Sequence, residues 1–83
     1  MQDRGVDDRV PRGALPDAET EDALYLFKHV STLRATYQVR LLTYLAASRK
    51  KKLIIRVPHG FTPAPSLLAL IEKAPGVIVI EVA

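Results

Sequence analysis

The chain of 83 residues contains no cysteine, no tryptophan and no long apolar run. Without cysteine it can form neither disulfides nor thiolate metal sites. Its two histidines, His29 and His59, are far apart in sequence, and neither has a second histidine or a carboxylate beside it. We therefore expect no metal site. No apolar segment approaches the roughly 18 residues of a membrane span, so we also expect a cytoplasmic protein without membrane contacts.

Catalytic signatures are missing as well. The chain contains neither G-x-G-x-x-G nor G-x-x-x-x-G-K-[ST], so dinucleotide and Walker-type phosphate binding lack their usual signal. After residue 22 the only acidic side chains are Glu72 and Glu81. They leave no paired carboxylates for acid–base chemistry and little support for a nucleophile with a base and an orienting acid. We expect a protein that is not an enzyme and uses no cofactor.

Charge is distributed unevenly along the chain. Residues 1–22 carry seven acidic and three basic side chains, whereas residues 23–83 carry nine basic and two acidic ones. The net charges of the two parts are therefore −4 and +7. Because residues 1–22 contain too few apolar side chains to offset the entropy of ordering, we predict a flexible acidic arm there. Residues 23–83 are predicted to form a single small domain.

The predicted domain alternates strand-like and helix-like segments. Short apolar runs predict strands over 23–30, 52–57 and 77–82, and helical spacing predicts helices over 33–49 and 63–74. Ser31 or Thr32 is expected to cap the first helix, and Thr62 the second. This order predicts an α/β fold with a three-stranded, mainly parallel sheet and two helices. Strand order 1-2-3 would place both helices on one face, and order 2-1-3 would place one on each.

Apolar surface exceeds what so small a domain can bury. The predicted helix over 33–49 is apolar on more than one face, so it is either covered on two sides or awaits a partner. The last strand, VIVIEV, has no charge before Glu81 and would be an aggregation hazard as an unpaired edge. We therefore predict a non-enzymatic assembly protein, either a homo-oligomer or an accessory subunit of a larger complex. The predicted partner-contacting residues are Tyr37, Leu41, Tyr44, Val77, Val79 and Glu81.

Two alternatives stay open. Nucleic-acid binding requires only clustered positive charge, and its candidate residues are Arg34, Arg40, Arg49, Lys50, Lys51 and Lys52. A small-anion-binding regulatory domain would use the loops at the carboxyl edge of the strands, where helix starts favour anions. Its candidate residues are Ser31, Thr32, Arg34, His59, Gly60 and Thr62. A solvated turn is a sufficient explanation of the basic run, and helix capping is a sufficient explanation of the hydroxyl groups.

Overall fold

A computed structural model describes residues 15–83 of the chain. The α/β class predicted from the sequence is confirmed, with two helices and a mostly parallel main sheet. The elements in chain order are β1 (Ala18–Glu19), β2 (Ala23–Phe27), β3 (Thr32–Leu33), α1 (Tyr37–Ser48), β4 (Lys52–Val57), β5 (Thr62–Pro63), α2 (Pro65–Lys73) and β6 (Ile78–Val82).

The main sheet has four strands in the order β1-β2-β4-β6. Strands β2, β4 and β6 are parallel and correspond to the three predicted strands, whereas β1 is an additional strand that runs antiparallel to β2. At Ala18–Glu19 the backbone is thus a strand, although the composition indicated a flexible arm. The flanking residues of the predicted arm are also described, and the N–H groups of Asp17 and Thr20 donate to the carbonyls of Tyr25 and Ala23. Residues 1–14 of the predicted arm lie outside the described residues. A second, two-stranded parallel sheet pairs β3 with β5.

Both helices begin later than predicted. The N-cap of α1 is Thr36, whose Oγ accepts a hydrogen bond from the N–H of Val39 at 3.3 Å. The N-cap of α2 is Ala64, which makes no side-chain hydrogen bond, and Pro65 follows it at the first helical position. Capping by Ser31, Thr32 or Thr62 is therefore wrong, because these residues lie in or beside the β3–β5 pair. Within residues 15–83, neither helix has the length and hydrophobicity that crossing a bilayer requires.

The core lies between one face of the main sheet and both helices. Strand order β2-β4-β6 is the 1-2-3 alternative, and right-handed crossovers then place α1 and α2 on the same side. Alternate strand residues and one stripe of each helix meet there, as period-2 and period-3.6 patterns require. The buried apolar cluster comprises Leu24, Leu26, Leu33, Val39, Leu42, Leu45, Ala46, Leu53, Ile55, Val57, Leu67 and Ile78.

Helix α1 ends in a Schellman motif that a lysine completes. Lys50 has a left-handed backbone with φ +59°, and its N–H donates to the carbonyl of Ala47 at 3.2 Å. The N–H of Lys51 reaches back to the carbonyl of Ala46 at 2.7 Å. Glycine is the usual residue at this position because a Cβ is disfavoured there. The turn between α1 and β4 therefore holds one strained residue.

Candidate functional site

The side of the main sheet opposite the helices carries a largely apolar surface. We call it the uncovered face, because no helix of the described residues packs on it. The strand register places Tyr25, Ile54 and Val79 in one row across β2, β4 and β6. Phe27, Arg56 and Glu81 form the next row. The Phe27 and Val79 residues are 42% and 38% exposed, so much of this apolar surface meets solvent.

An ion pair occupies the second row of the uncovered face. The Arg56 Nε donates to the Glu81 Oε1 at 2.6 Å, and the Arg56 guanidinium lies 5.7 Å from the centre of the Phe27 ring. The Phe27 and Tyr25 ring centres are 6.3 Å apart. Because both charged groups are about half exposed, the pair contributes at most about 1 kcal/mol to folding. Arg56 thus lies on the uncovered face, and its carboxylate partner Glu81 belongs to the same chain.

The two edges of the main sheet differ in how well they are protected against further pairing. The outer strand β1 is two residues long, follows Pro16 and Asp17, and contains Glu19. Short length, proline and charge are the features by which natural proteins protect sheet edges. The opposite outer strand, β6, has five residues, of which only Glu81 is charged. Of the two edges, β6 is the one open to pairing.

The backbone of β6 presents hydrogen-bonding groups outward in a defined pattern. On the inner side, the Val77 carbonyl accepts from the N–H of Leu53 at 2.8 Å, and the N–H of Ala83 donates to the carbonyl of Val57 at 2.9 Å. Because alternate residues of a parallel ladder bond to the same neighbour, Val79 and Glu81 also bond toward β4. The residues whose N–H and C=O groups point away from β4 are therefore Ile78, Ile80 and Val82.

The predicted partner-contacting residues fall into two separate groups. Tyr37 and Tyr44 are 66% and 68% exposed on the outer side of α1, whereas Leu41 is half-buried against the core. On the other side of the molecule, Val79 and Glu81 belong to the uncovered face, and the neighbouring Val77 packs against the core. These residues therefore form no single patch.

The basic run after α1 is engaged largely within the chain. Lys51 Nζ and Arg49 Nη1 lie 2.5 Å and 3.2 Å from Glu19 Oε2. The hydrogen bond from Lys51 lowers the pKa of Glu19 below its ordinary value, and the charges of Lys51 and Arg49 act in the same direction while desolvation opposes them. Lys52 Nζ donates to the carbonyl of Gly76 at 2.9 Å. These charges hold β1 and the turn before β6 in place.

The remaining basic candidates lie at the other end of α1. Arg40 follows the first turn of that helix, and its Nε donates to the Ala35 carbonyl at 2.9 Å. Arg34 precedes the helix and is exposed. A helix of 12 residues is about 18 Å long, so Arg34 and the run 49–52 lie at opposite ends of it. The six residues predicted for nucleic-acid binding form no continuous basic stripe along α1.

The predicted anion-binding residues are partly brought together, but by strand pairing. Thr32 pairs with Thr62 in the β3–β5 sheet, and the N–H of Thr62 donates to the carbonyl of Ser31 at 2.8 Å. Gly60 has φ +87° at the third position of the turn from Pro58 to Phe61, where a type II turn requires a positive φ. Backbone pairing and turn geometry therefore account for this loop, which begins neither helix.

A cavity of about 270 Å³ lies at the carboxyl edge of β2 and β4. Because these strands are parallel neighbours, the segments that follow them emerge side by side, and the Lys28 N–H donates to the Arg56 carbonyl at 3.0 Å. The lining residues are Phe27, Lys28, His29, Arg56, Val57, Pro58 and Ala83. None of the seven was assigned to a site from the sequence, although Lys28 and Arg56, as charges inside apolar strands, were a usable signal.

Comparison with known proteins gave no match to a family model, to a curated protein or to a solved structure. No cluster of three or more potential metal-ligating side chains occurs in the part of the chain that the structure describes. The surfaces that remain as candidates are the open edge of β6, the uncovered face beside it, the exposed tyrosines of α1 and the cavity. What each of them binds has to be inferred from its own residues.

Proposed function

We propose that this protein is a non-enzymatic assembly module that forms a homodimer through antiparallel pairing of β6 with β6 of a second copy. The observation that carries the proposal is the open edge: β6 has five residues, is apolar apart from Glu81, and has neither the brevity of β1 nor a proline just before it. A strand of this kind is a template for pairing. Pairing of two β6 strands would join two main sheets into one continuous sheet.

The outward backbone groups of β6 select one register for this pairing. Antiparallel partners exchange hydrogen bonds between residues whose N–H and C=O groups both face the neighbouring strand. With Ile80 opposite Ile80 of the second copy, Ile78 lies opposite Val82, so all three outward-facing residues of each copy are paired. A shift by two residues in either direction loses one of these three pairs. The register with Ile80 at the twofold axis is therefore favoured.

This register also fixes which side chains meet on the uncovered face. Val79 of one copy then lies opposite Glu81 of the other, in the closely spaced pair that exchanges no backbone hydrogen bonds. On the side of the helices, the exposed Val82 would cover Ile78 of the second copy. Directly opposite side chains interact by about 0.2–1 kcal/mol, with like charges unfavourable. The Val79 position is consequently a sensitive reporter of the register.

The test introduces a charge of either sign at Val79 and measures the mass of the protein in solution. Sedimentation equilibrium of the full chain is expected to give a mass of twice 9.2 kDa that persists in high salt after nuclease treatment. Val79→Glu places a carboxylate opposite Glu81 at two symmetric positions and should raise the dimer dissociation constant about 2- to 30-fold. Val79→Lys, at the same partly exposed site, should leave dimerisation intact or strengthen it.

A second pair of variants addresses the backbone directly. Val82→Pro removes an N–H that points outward, so it should abolish the dimer while the bonds between β4 and β6 stay intact. Val82→Thr keeps the N–H and a β-branched side chain, and it should remain dimeric. A wild-type chain that is monomeric at all concentrations would refute the proposal. A mass that falls with Tyr44→Glu but not with Val82→Pro would move the interface to the outer side of α1.

A further inference from the structure

We propose that the cavity at the carboxyl edge of β2 and β4 binds a small carboxylate carried on an apolar body. The cavity lies beyond the end of β6, where Ala83 is one of its lining residues, and the proposal does not depend on the pairing of β6. Its volume of about 270 Å³ suits a small molecule of about ten non-hydrogen atoms, since ligand pockets for larger, drug-sized molecules begin at roughly 300 Å³.

The charge of the lining selects an anion with a single charge. Lys28, His29 and Arg56 line the cavity, and no carboxylate side chain does. Arg56 already shares its charge with Glu81, which it contacts through both Nε and Nη2. Of the lining lysine and arginine, Lys28 is the one without a carboxylate partner among the described residues. Among the described residues, no acceptor contacts the Lys28 ammonium group, so a carboxylate would be its natural partner.

The walls of the cavity select the apolar body. The apolar residues that line it with the basic ones are Phe27, Val57, Pro58 and Ala83; Phe27 is 42% exposed, whereas Val57 is buried in the core. Phe27 is held in place by the Arg56 guanidinium at 5.7 Å and by Tyr25 at 6.3 Å. A ligand that is only an anion, such as acetate, would leave these walls in contact with water. A flat or branched apolar group attached to the carboxylate covers them and gains the corresponding burial energy.

The position also differs from the anion site predicted from the sequence. The residues predicted for that site lie in the loops that form β3 and β5, where backbone groups are paired with each other. The cavity lies before those loops, directly where β2 and β4 end. Both crossovers of the sheet go to the same side, so no crevice opens between diverging helices of the kind that α/β sheets ordinarily use. Residues at the ends of β2 and β4, among them Phe27 and Pro58, line the cavity instead.

The experiment titrates the ¹⁵N-labelled full chain with benzoate and follows backbone amide signals by NMR. We expect saturable shifts at Lys28, His29 and Val57, with a dissociation constant of about 1–10 mM, as the size of the probe allows. Benzamide has the same body without the charge, and acetate has the charge without the body. Each should bind at least about 10-fold more weakly if charge and apolar contact both contribute. Inorganic phosphate should also bind more weakly than benzoate.

Two variants and a matched control separate specific binding from general attraction to a basic protein. Lys28→Met keeps the backbone hydrogen bond to Arg56 and should weaken benzoate binding at least about 5-fold. Phe27→Ala should weaken benzoate binding but leave acetate unchanged. Lys73→Met removes a charge in the last turn of α2, outside the cavity, and should have no effect. Equal losses for Lys28→Met and Lys73→Met, or benzoate shifts spread over the whole surface, would overturn the proposal.

Discussion

Leu67 is the residue on which the attachment of α2 depends most. It is the one fully buried side chain of that nine-residue helix, with an exposed fraction of 0%, whereas the adjacent Leu68 is 47% exposed. Leu67→Ala removes buried methyl groups and leaves a cavity, which typically costs about 2–5 kcal/mol. At roughly 0.05–0.15 kcal/mol per residue, the free energy of unfolding of the whole chain is about 4–12 kcal/mol. One substitution should therefore remove a large part of it.

The measurement is urea denaturation followed by far-ultraviolet circular dichroism, with Leu68→Ala as the matched control. Both variants change leucine to alanine in the same helix, so intrinsic helix propensity changes equally in the two. Leu68→Ala should alter the free energy of unfolding by no more than about 0.5 kcal/mol. In a thermal scan, Leu67→Ala should lower Tm by at least about 8 °C, since 1 kcal/mol corresponds to about 4–8 °C at this size. A loss below 1 kcal/mol, or equal losses in the two variants, would show that α2 is not packed as described.

Three further substitutions test local features. Glu19→Gln should lower the free energy of unfolding by about 0.2–1 kcal/mol at pH 7. The pKa of Glu19 is lowered in the folded chain. The difference in free energy of unfolding between the two chains is therefore fully present above the pKa of unfolded Glu19, near 4.3, and should vanish as the pH falls through the pKa of folded Glu19. A difference that persists in acid would contradict the ion pairs. Lys50→Gly should raise the free energy of unfolding by about 0.5–1 kcal/mol, since relief of the left-handed strain outweighs the entropy cost of glycine; a loss measured by the same denaturation would refute this. Ser66→Ala removes the acceptor of the Ala35 N–H at 3.0 Å and should cost about 1–3 kcal/mol, whereas Ser48→Ala at an exposed position should cost little.

The three parallel strands and both helices were predictable because each is long enough to show its own period. Strand β4 was predicted with the bounds it has, and the predicted helix over 33–49 contains α1. Strand β1 could not be predicted, because two residues in an acidic segment show no periodicity. What holds β1 in place is tertiary: Glu19 contacts Arg49 and Lys51, and the Asp17 carboxylate accepts from the N–H of Phe27 at 2.7 Å.

The starts of the helices show how local signals compete. Ser31, Thr32 and Thr62 are good N-cap residues, and nothing nearby in the sequence argues against that role. Pairing between β3 and β5 takes up these positions instead, and it joins segments that are 30 residues apart. The helices consequently begin at Tyr37 and Pro65. Long-range backbone pairing decides where these helices start, and the local pattern of N-cap residues does not indicate that pairing.

The candidate surfaces depended on the order of the strands, which the pattern of apolar residues left open. Both 1-2-3 and 2-1-3 satisfy the right-handed crossover rule. Only the observed order gathers both helices on one side and exposes Phe27 and Val79 on the other. The over-wide apolar surface of α1 was predictable, and Tyr37 and Tyr44 are indeed exposed on it. The cavity was not, since it forms where two distant strand ends emerge together.

The unequal edges of the sheet also set a limit on growth. A sheet that can pair at both of its edges keeps adding copies and forms a fibre. Here β1 protects one edge of the main sheet through its brevity and its charge. If β6 pairs as proposed, the main sheet then has no second open edge. Pairing across a twofold axis is closed by symmetry. The same small strand that was missed in the acidic segment would thus make the assembly finite, ending it at two copies.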